Sequence, residues 1–427
     1  MSIPILLALA LAGDATRAAP PPDLVLHEWG TFTSAQSSDG RVLDGLHHEE
    51  EALPDFVHQM DDARMIDLGI ARKKGLARSV RGVTIKLETP VTYFHAPRAM
   101  QLHARVELRR GLLSQWYPWA SVSERGSDAL VSPQTRRLGR TWIDFSTVES
   151  GALEWELELL APGVGADRVP RVEDGMPWLA ARLPQANHLR VRTPAGPEGA
   201  PREEVEEFLF YRGLARFDLP LVARTRTDAR VNLSNASASG DVLRHLFVLH
   251  VRDGRATFEC AEELPPGASA DFTVPLGPDA CALEELLPKL ARGVERALQA
   301  SGLTRDEAQA MVETWSSSYF RTEGLRVLYV LPQRFTDEVL PLAVQPAPRE
   351  CVRVLVGRLE CLTPEVELEV EDALHQLVHG SESEREAAAQ RISKHQRFLE
   401  PILRAIQPRI SDPQTLAKLE DWLGRLD

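Results

Sequence analysis

Histidine and glutamate side chains are concentrated in two stretches near the start of the chain. His27 and Glu28 open the first stretch, HEWGTFTS, and the second stretch, GLHHEEEALPDFVH, spans 45–58. Six of the twelve histidines precede residue 104, where an even spread would place roughly three. Imidazole nitrogens and carboxylate oxygens together are ligands of zinc, iron or manganese in proteins. The two stretches therefore predict a divalent metal site, with the candidate ligands His27, His47, His48, Glu49, Glu51 and His58.

The spacing within the second stretch brings several of these donors to one side of the backbone. If 46–51 is extended, His47, Glu49 and Glu51 share a face; if it is helical, His47 pairs with Glu50 or Glu51. A glutamate that is not a ligand, Glu28 or Glu50, would then act as a general base on metal-bound water. The alternative is a solvated loop with exposed histidines, because the sequence contains no HExxH, zinc-finger or EF-hand pattern.

A second candidate site is aromatic. Trp116, Tyr117 and Trp119 follow a strand that ends near Arg109, so they are expected in a loop. Aromatic side chains on the loops of a β-sandwich can stack on sugars or prolines. The alternative is that Trp116 and Tyr117 close one end of the core. Glu88, which leaves a strand beside a proline, is either a ligand or an outward-facing residue.

The chain lacks the motifs of α/β-type serine hydrolases, P-loop nucleotide hydrolases, c-type cytochromes and Rossmann dehydrogenases. It has no GxSxG, GxxxxGKS/T or CxxCH motif, and no GxGxxG after a strand. The 427 residues carry a formal net charge of −13. Nucleic acid is therefore not expected as a partner, because its recognition needs a basic surface.

Alternating apolar and polar residues predict strands through the first two thirds of the chain. The runs 102–108 and 153–159 place leucine, valine, alanine or tryptophan at every second position. This pattern is typical of strands with one buried and one solvated face. Many such strands separated by turn-rich stretches predict a large antiparallel β-sandwich over 24–280.

The pattern changes after residue 281. Thr304 and Glu307 form a capping-box pattern at the start of a helix, and the apolar run LRVLYVL at 325–331 predicts a strand covered on both faces. We therefore expect a small α/β module over 282–362. From 363 onward, N-cap and stop signals predict short helices that form a HEAT-like helical cap over 363–427. The expected fold is thus mainly β with α additions.

The N-terminus indicates export. Residues 3–12 read IPILLALALA and are followed by small residues, which fits a signal peptide over 1–19, although no Lys or Arg precedes the apolar run. The alternative, a buried helix, is disfavoured by the prolines at both ends. We expect a periplasmic or secreted protein with no membrane span beyond the signal peptide. Two disulfides, Cys260–Cys281 and Cys351–Cys361, and four reduced thiols are equally compatible with the sequence.

Several blocks together resemble a known group of proteins. These blocks are HEWGTFTS (27–34), GLHHEEEALPDFVH (45–58), KLETPVTYF (86–94), GLLSQWYP (111–118), FLFYRGL (208–214), GLRVLYVLPQ (324–333) and VRVLVGRLE (352–360). Over about 24–362 the chain resembles an uncharacterised family of exported bacterial proteins. The resemblance implies one shared fold and an extracytoplasmic setting, and it implies no activity or cofactor. The helical tail resembles short repeats appended to many envelope proteins.

Two functions fit these features. The first is an exported envelope-associated protein with a binding or structural role, whose partner is an envelope carbohydrate or protein. The alternative is a metal-dependent hydrolase with a His/Glu centre in 27–58, acting on an envelope carbohydrate or peptide. The hydrolase requires His27, His47 or His48, and a glutamate to converge on one point. The binding protein requires an exposed groove around Trp116.

Overall fold

The computed structural model describes residues 23–46, 53–60, 82–126, 145–194, 201–277, 280–316, 318–395 and 398–426. The strands in these ranges are β1 Val25–Gln36, β2 His58–Gln59, β3 Ile85–His95, β4 Met100–Arg109, β5 Gly111–Tyr117, β6 Ser121–Arg125, β7 Ser150–Leu159, β8 Leu189–Arg192, β9 Glu203–Glu206, β10 Leu209–Ala215, β11 Leu221–Arg226, β12 Arg230–Asn235, β13 Leu243–Arg252, β14 Arg255–Leu264, β15 Ser269–Thr273, β16 Cys281–Ala282, β17 Gly324–Val330, β18 Leu342–Gln345 and β19 Glu350–Cys361. The α-helices are α1 Leu283–Ala300, α2 Arg305–Ser316, α3 Gln333–Val339, α4 Pro364–His379, α5 Glu382–Ser393, α6 Leu399–Ile406 and α7 Pro413–Leu426.

A ten-stranded sheet forms the centre of the fold, with the order β16-β14-β13-β17-β19-β1-β3-β10-β5-β2. β1 pairs in parallel with β19 and antiparallel with β3, so it lies inside the sheet. Two further sheets are separate from it: a six-stranded sheet with the order β18-β4-β7-β8-β9, in which β6 also pairs with β7, and a three-stranded sheet of β11, β12 and β15.

The two smaller sheets pack on one face of the central sheet. Alternate residues of β4, Leu102, Ala104, Val106 and Leu108, are buried in a core shared with β1, β3 and β5. The intervening residues of β4 are more exposed. This arrangement confirms the strand alternation predicted for 102–108 and brings two layers of sheet together, as in a sandwich.

Helices α1 and α2 cover the other face of the central sheet. α1 buries one stripe that contains Leu286, Leu290 and Val294, and these side chains join a second core with Trp29 of β1. The stripe has the spacing of one helix face, which explains why this segment packs as a helix on the sheet. β17 is covered on both faces, as the run LRVLYVL predicts.

The predicted division at residues 280–282 does not separate two sheets. β17 and β19 belong to the expected α/β module, but they lie between β13 and β1 in the central sheet. A period-two pattern reveals that a segment is a strand and does not reveal its pairing partner. The coarser prediction, a mainly β protein with several sheets and C-terminal helices, is confirmed.

The C-terminal helices pack together and against the end of β1. Their core includes Val370, Leu403 and Leu419, together with Ala35 of β1 and Leu46. Two of these helices have side-chain caps: the Thr363 side chain accepts a hydrogen bond from the Val366 N–H, and Ser381 forms a capping box with Glu384. Among the described residues, no helix combines the length and apolar character needed to cross a membrane. The predicted signal peptide, 1–19, lies outside the described residues.

Strand register excludes both predicted disulfides. Cys351 and Cys361 lie ten residues apart on one strand, β19, which corresponds to about 33 Å. Cys281 is paired with Ala256, and Cys260 lies four residues further along the same strand, about 13 Å away. A disulfide requires Cα atoms within about 7 Å. All four cysteines are accordingly free.

Candidate metal centre

Two histidines and a glutamate from three separate elements meet on the helix-covered face of the central sheet. Nδ1 of His27 lies 2.8 Å from Oε2 of Glu307, and Nε2 of His95 lies 3.5 Å from Oε1 of Glu307. One donor atom from each residue lies within 4.8 Å of those of the other two. Glu307 is fully buried and His27 nearly so, whereas 31% of the His95 side chain is exposed. The group is therefore anchored in the core: part of the His95 side chain reaches the surface, but its Nε2, the atom that faces Glu307, is itself buried.

Strand parity and a helix cap position these three side chains. His27 and Trp29 share the helix-facing side of β1, and His95 on β3 is paired with Val25. Glu307 is the third residue of α2, where the predicted capping box is formed: the Thr304 N–H donates to Oε2 of Glu307 at 2.8 Å, and the Glu307 N–H donates to the Thr304 hydroxyl at 3.3 Å. The box fixes the first turn of α2 and directs the Glu307 carboxylate towards the sheet.

The electrostatics of the group favour a charged Glu307. Burial raises the pKa of Glu307, but hydrogen bonds from His27, His95 and the Thr304 N–H outweigh burial and lower this pKa to about 2. The hydrogen bond to Glu307 raises the pKa of His27, although burial acts in the opposite direction. The carboxylate therefore remains ionised, and a cation placed between the three donors would not have to displace a proton from it.

The donor separations are compatible with a bound metal ion. Two ligands of a tetrahedral zinc ion, each about 2.0–2.1 Å from the metal, lie about 3.3 Å apart. The separations from Glu307 to His27 and His95, 2.8 and 3.5 Å, lie on either side of this value. Two imidazoles and one carboxylate form the ligand set of zinc sites with an open position and of non-haem iron sites. Three protein donors would leave a fourth position of the metal for water or another ligand.

The structure brings together one predicted ligand with two that the sequence reasoning missed. His27 belongs to the group, whereas His58 lies on β2 at the edge of the sheet, four strands from β1, with its Nε2 2.9 Å from Glu204. The predicted ligands His47, His48, Glu49 and Glu51, and the predicted base Glu50, lie outside the described residues. Glu307 was recognised in the sequence only as a cap, and His95 only as one of the early histidines.

Glu28 does not face the three candidate ligands, which corrects its predicted role as a base. Successive residues of a strand point to opposite faces, so Glu28 lies on the face of β1 away from His27. Its carboxylate is fully buried and accepts hydrogen bonds from Arg353 at 2.7 Å, from the Thr92 hydroxyl at 3.1 Å and from the Tyr211 hydroxyl. Through these contacts, Glu28 links β1 to β19, β3 and β10 of the central sheet.

The predicted aromatic loop is a strand and its immediate continuation. Trp116 and Tyr117 are the last two residues of β5, and both are buried, one in each core. Trp119 is partly buried against the first core, and its backbone N–H donates to Glu204 at 2.7 Å. The expected exposed aromatic groove is therefore not formed by these residues, and the alternative for Trp116 and Tyr117, closure of the core, describes their position.

A second buried polar cluster lies on the same sheet face as His27. Glu88 accepts hydrogen bonds from the Tyr319 hydroxyl at 2.8 Å and from Thr33, and the Lys86 Nζ lies 2.9 Å from its other oxygen. The Arg358 guanidinium lies 4.0 Å from the centre of the Tyr319 ring. Burial raises the pKa of Glu88, but Lys86 and Arg358 outweigh it and lower the pKa to about 2. Glu88 is therefore a buried, ion-paired carboxylate rather than an outward-facing residue.

A third polar group borders a surface cleft of about 470 Å³. Nε2 of His188 lies 3.2 Å from Oε1 of Glu207, and Arg182 beside them forms an ion pair with Glu206 at 2.6 Å. Burial and the neighbouring Glu206 raise the pKa of Glu207 to about 7, and burial lowers the pKa of His188. His188 and Glu207 together offer two metal-ligand atoms, whereas His27, His95 and Glu307 offer three.

Comparison with known proteins does not assign the chain to a class. No family model and no curated protein matches it. The mu homology domain of Fcho1 from Danio rerio, solved with a bound Eps15 peptide, is similar with a TM-score of 0.28 and 10% identity, covering 80% of this chain and 98% of that chain. The yeast delta-COP-I mu-homology domain is similar with a TM-score of 0.26 and 6% identity, covering 81% of this chain and 99% of that chain. Similarity at this level carries no functional argument.

Proposed function

We propose that this chain is an exported, envelope-associated protein with a binding or structural role that depends on one divalent transition metal held by His27, His95 and Glu307. The observation that carries the proposal is the meeting of two imidazoles and a carboxylate from β1, β3 and α2. The metal would join the helical layer to the central sheet. With three protein donors, the metal would keep one coordination position for a further ligand.

Metal binding without hydrolysis is favoured because, within the described residues, the candidate base Glu28 does not lie on this face; the other candidate base, Glu50, lies outside them. A metal-dependent hydrolase needs a carboxylate or imidazole within hydrogen-bond reach of the metal-bound water. Glu28 faces away from His27 and is bound to Arg353. The metal-dependent hydrolase is therefore the weaker candidate, and the proposal assigns no reaction to the centre.

The wider setting of the proposal rests on the sequence. The apolar segment before residue 20 and the resemblance to exported bacterial proteins support a periplasmic or secreted location. The C-terminal helices, which we propose to be HEAT-like, would present a surface to an envelope protein or carbohydrate.

The metal content of the untagged chain, purified from the periplasm or from the culture medium, tests the proposal. Elemental mass spectrometry should find zinc, iron or manganese in the wild type and one equivalent less in His95→Ala. His95 is the partly exposed ligand, so its loss should leave the fold intact. Glu307→Gln, which keeps the shape of the side chain, should weaken metal affinity at least tenfold. The intact mass of the same sample shows whether residues 1–19 have been removed.

His58→Ala is the matched control, because His58 also contacts a carboxylate but stands four strands away. Its metal content should equal that of the wild type. A folded wild type with no metal, or a folded His95→Ala variant with unchanged metal content, would show that Glu307 only fastens α2 to the sheet through hydrogen bonds.

A further inference from the structure

The C-terminal helices carry another group of metal-binding side chains, away from the central sheet. His375 and His379 lie one turn apart on α4, with their ring centres 4.5 Å apart. Asp412 immediately precedes α7, and its Oδ2 lies 2.8 Å from Nε2 of His379. Residues four apart on a helix share a face, so both imidazoles point towards the start of α7.

Asp412 is held in position before any ligand arrives. Its Oδ2 accepts a hydrogen bond from the Thr415 N–H at 2.7 Å and one from the Thr415 hydroxyl at 2.6 Å. These bonds and the one from His379 hold the pKa of Asp412 well below its usual range. The carboxylate is therefore charged and oriented, so a cation would not have to pay for ordering this side chain.

We infer that His375, His379 and Asp412 form a second site, for a zinc-class divalent cation, that clasps α4 to α7. One donor atom from each of the three residues lies within 4.8 Å of those of the other two. The metal would replace the proton between His379 and Asp412, and small side-chain rotations would bring the donors to the separations of about 3.3 Å found around zinc. Water would complete the coordination.

The proposed site on α4 and α7 is more exposed than the group formed by His27, His95 and Glu307. His375 and His379 are exposed and Asp412 is partly exposed, so a metal ion can enter and leave without opening the fold. α7 is otherwise held by buried Leu419 and Leu423. A metal that binds only when the start of α7 lies against α4 stabilises that arrangement by mass action.

The test is titration of the full chain with zinc alone, followed by calorimetry, in the His95→Ala background that lacks a ligand of the core centre. One equivalent should bind with a Kd below about 10 µM. His375→Ala/His379→Ala should abolish this binding, and Asp412→Asn should raise the Kd at least tenfold. His395→Ala is the matched control, because His395 lies beyond α5 and faces Glu369.

The outcomes separate a built site from adventitious binding. Binding that is weaker than about 10 µM, or that Asp412→Asn leaves unchanged, would overturn the inference and leave only an exposed histidine pair. Because Asp412→Asn also alters the cap of α7, circular dichroism of this variant must match that of the parent. This titration does not depend on the core centre, so each proposal can fail separately.

Discussion

Neighbouring charges decide the ionisation of the buried carboxyl groups of this protein. Burial raises the pKa of Glu88, Glu307 and Glu207 alike. Cationic or hydrogen-bonding neighbours reverse this effect at Glu88 and Glu307, where the pKa falls to about 2. Glu207 instead adjoins the carboxylate of Glu206, and its pKa rises to about 7. Similar side chains thus serve as fixed anions at two places and as a titrating group at a third.

Glu207 should make the stability of the protein fall between about pH 4.5 and pH 7. The folded state keeps the Glu207 proton up to about pH 7, whereas the unfolded chain releases it near 4.5. Stability from this group is therefore fully present below pH 4.5 and is lost as the pH rises through 7. At about 1.4 kcal/mol per pKa unit, and reduced for partial exposure, Glu207→Gln should stabilise the fold by about 1–2 kcal/mol at pH 8.

Urea unfolding of the wild type and Glu207→Gln at pH 4.5 and pH 8 measures this difference. The gain should be present at pH 8 and small at pH 4.5. Glu156→Gln is the control, because the Glu156 side chain is 87% exposed and should shift neither value. An equal effect of Glu207→Gln at both pH values would show that folding does not raise the pKa of Glu207.

At the scale of the strand, the position of each cysteine sets how exposed its thiol is, and exposure sets how fast the thiol reacts. Cys260 and Cys281 are exposed and should react rapidly with a thiol reagent in the native protein. Burial raises the pKa of Cys351 to about 11 and raises that of fully buried Cys361 further, so these thiols should react slowly. Native protein should therefore show two fast thiols and denatured protein four. Cys260→Ala/Cys281→Ala should lose the fast phase, whereas two thiols or none after denaturation would mean that a disulfide exists.

Elements with a local signal were predictable, and contacts between distant elements were not. The alternation at 102–108 and the Thr304–Glu307 capping box are written within a few residues, and both are present. The contact of Glu307 with His27 spans 280 residues. No periodicity in one sequence contains such a contact, because it depends on which strands pair in the sheet. The sequence could therefore identify His27 as a candidate ligand without identifying His95 or Glu307 as its partners.

The same limitation explains the expected sandwich and its boundary at the scale of the whole molecule. β1 is near the N-terminus, but its parallel neighbour β19 ends at Cys361. A parallel pair needs a long connection, and here the connection contains most of the described fold. The central sheet is therefore complete only when β19, which ends at Cys361, has paired with β1. The small sheets and the helices pack on a layer that contains strands from both the start and the end of residues 25–361.

A chain truncated after residue 280 should consequently fail to fold, although the sequence pattern predicts a complete sandwich there. Eight buried apolar side chains of β17 and β19 would be lost: Leu325, Val327, Leu328, Tyr329, Val354, Leu355, Val356 and Leu359. At about 1.5–3 kcal/mol each, this loss is about 12–24 kcal/mol, as large as or larger than the net stability of about 5–15 kcal/mol of most domains. Urea unfolding followed by circular dichroism should show no cooperative transition.

A chain ending at residue 362 keeps every strand of the central sheet and should retain a transition, weakened by the exposure of Ala35, Leu43 and Leu46. A cooperative transition in the shorter chain would instead establish 24–280 as an independent domain, with β17 and β19 added to a sheet that is already stable.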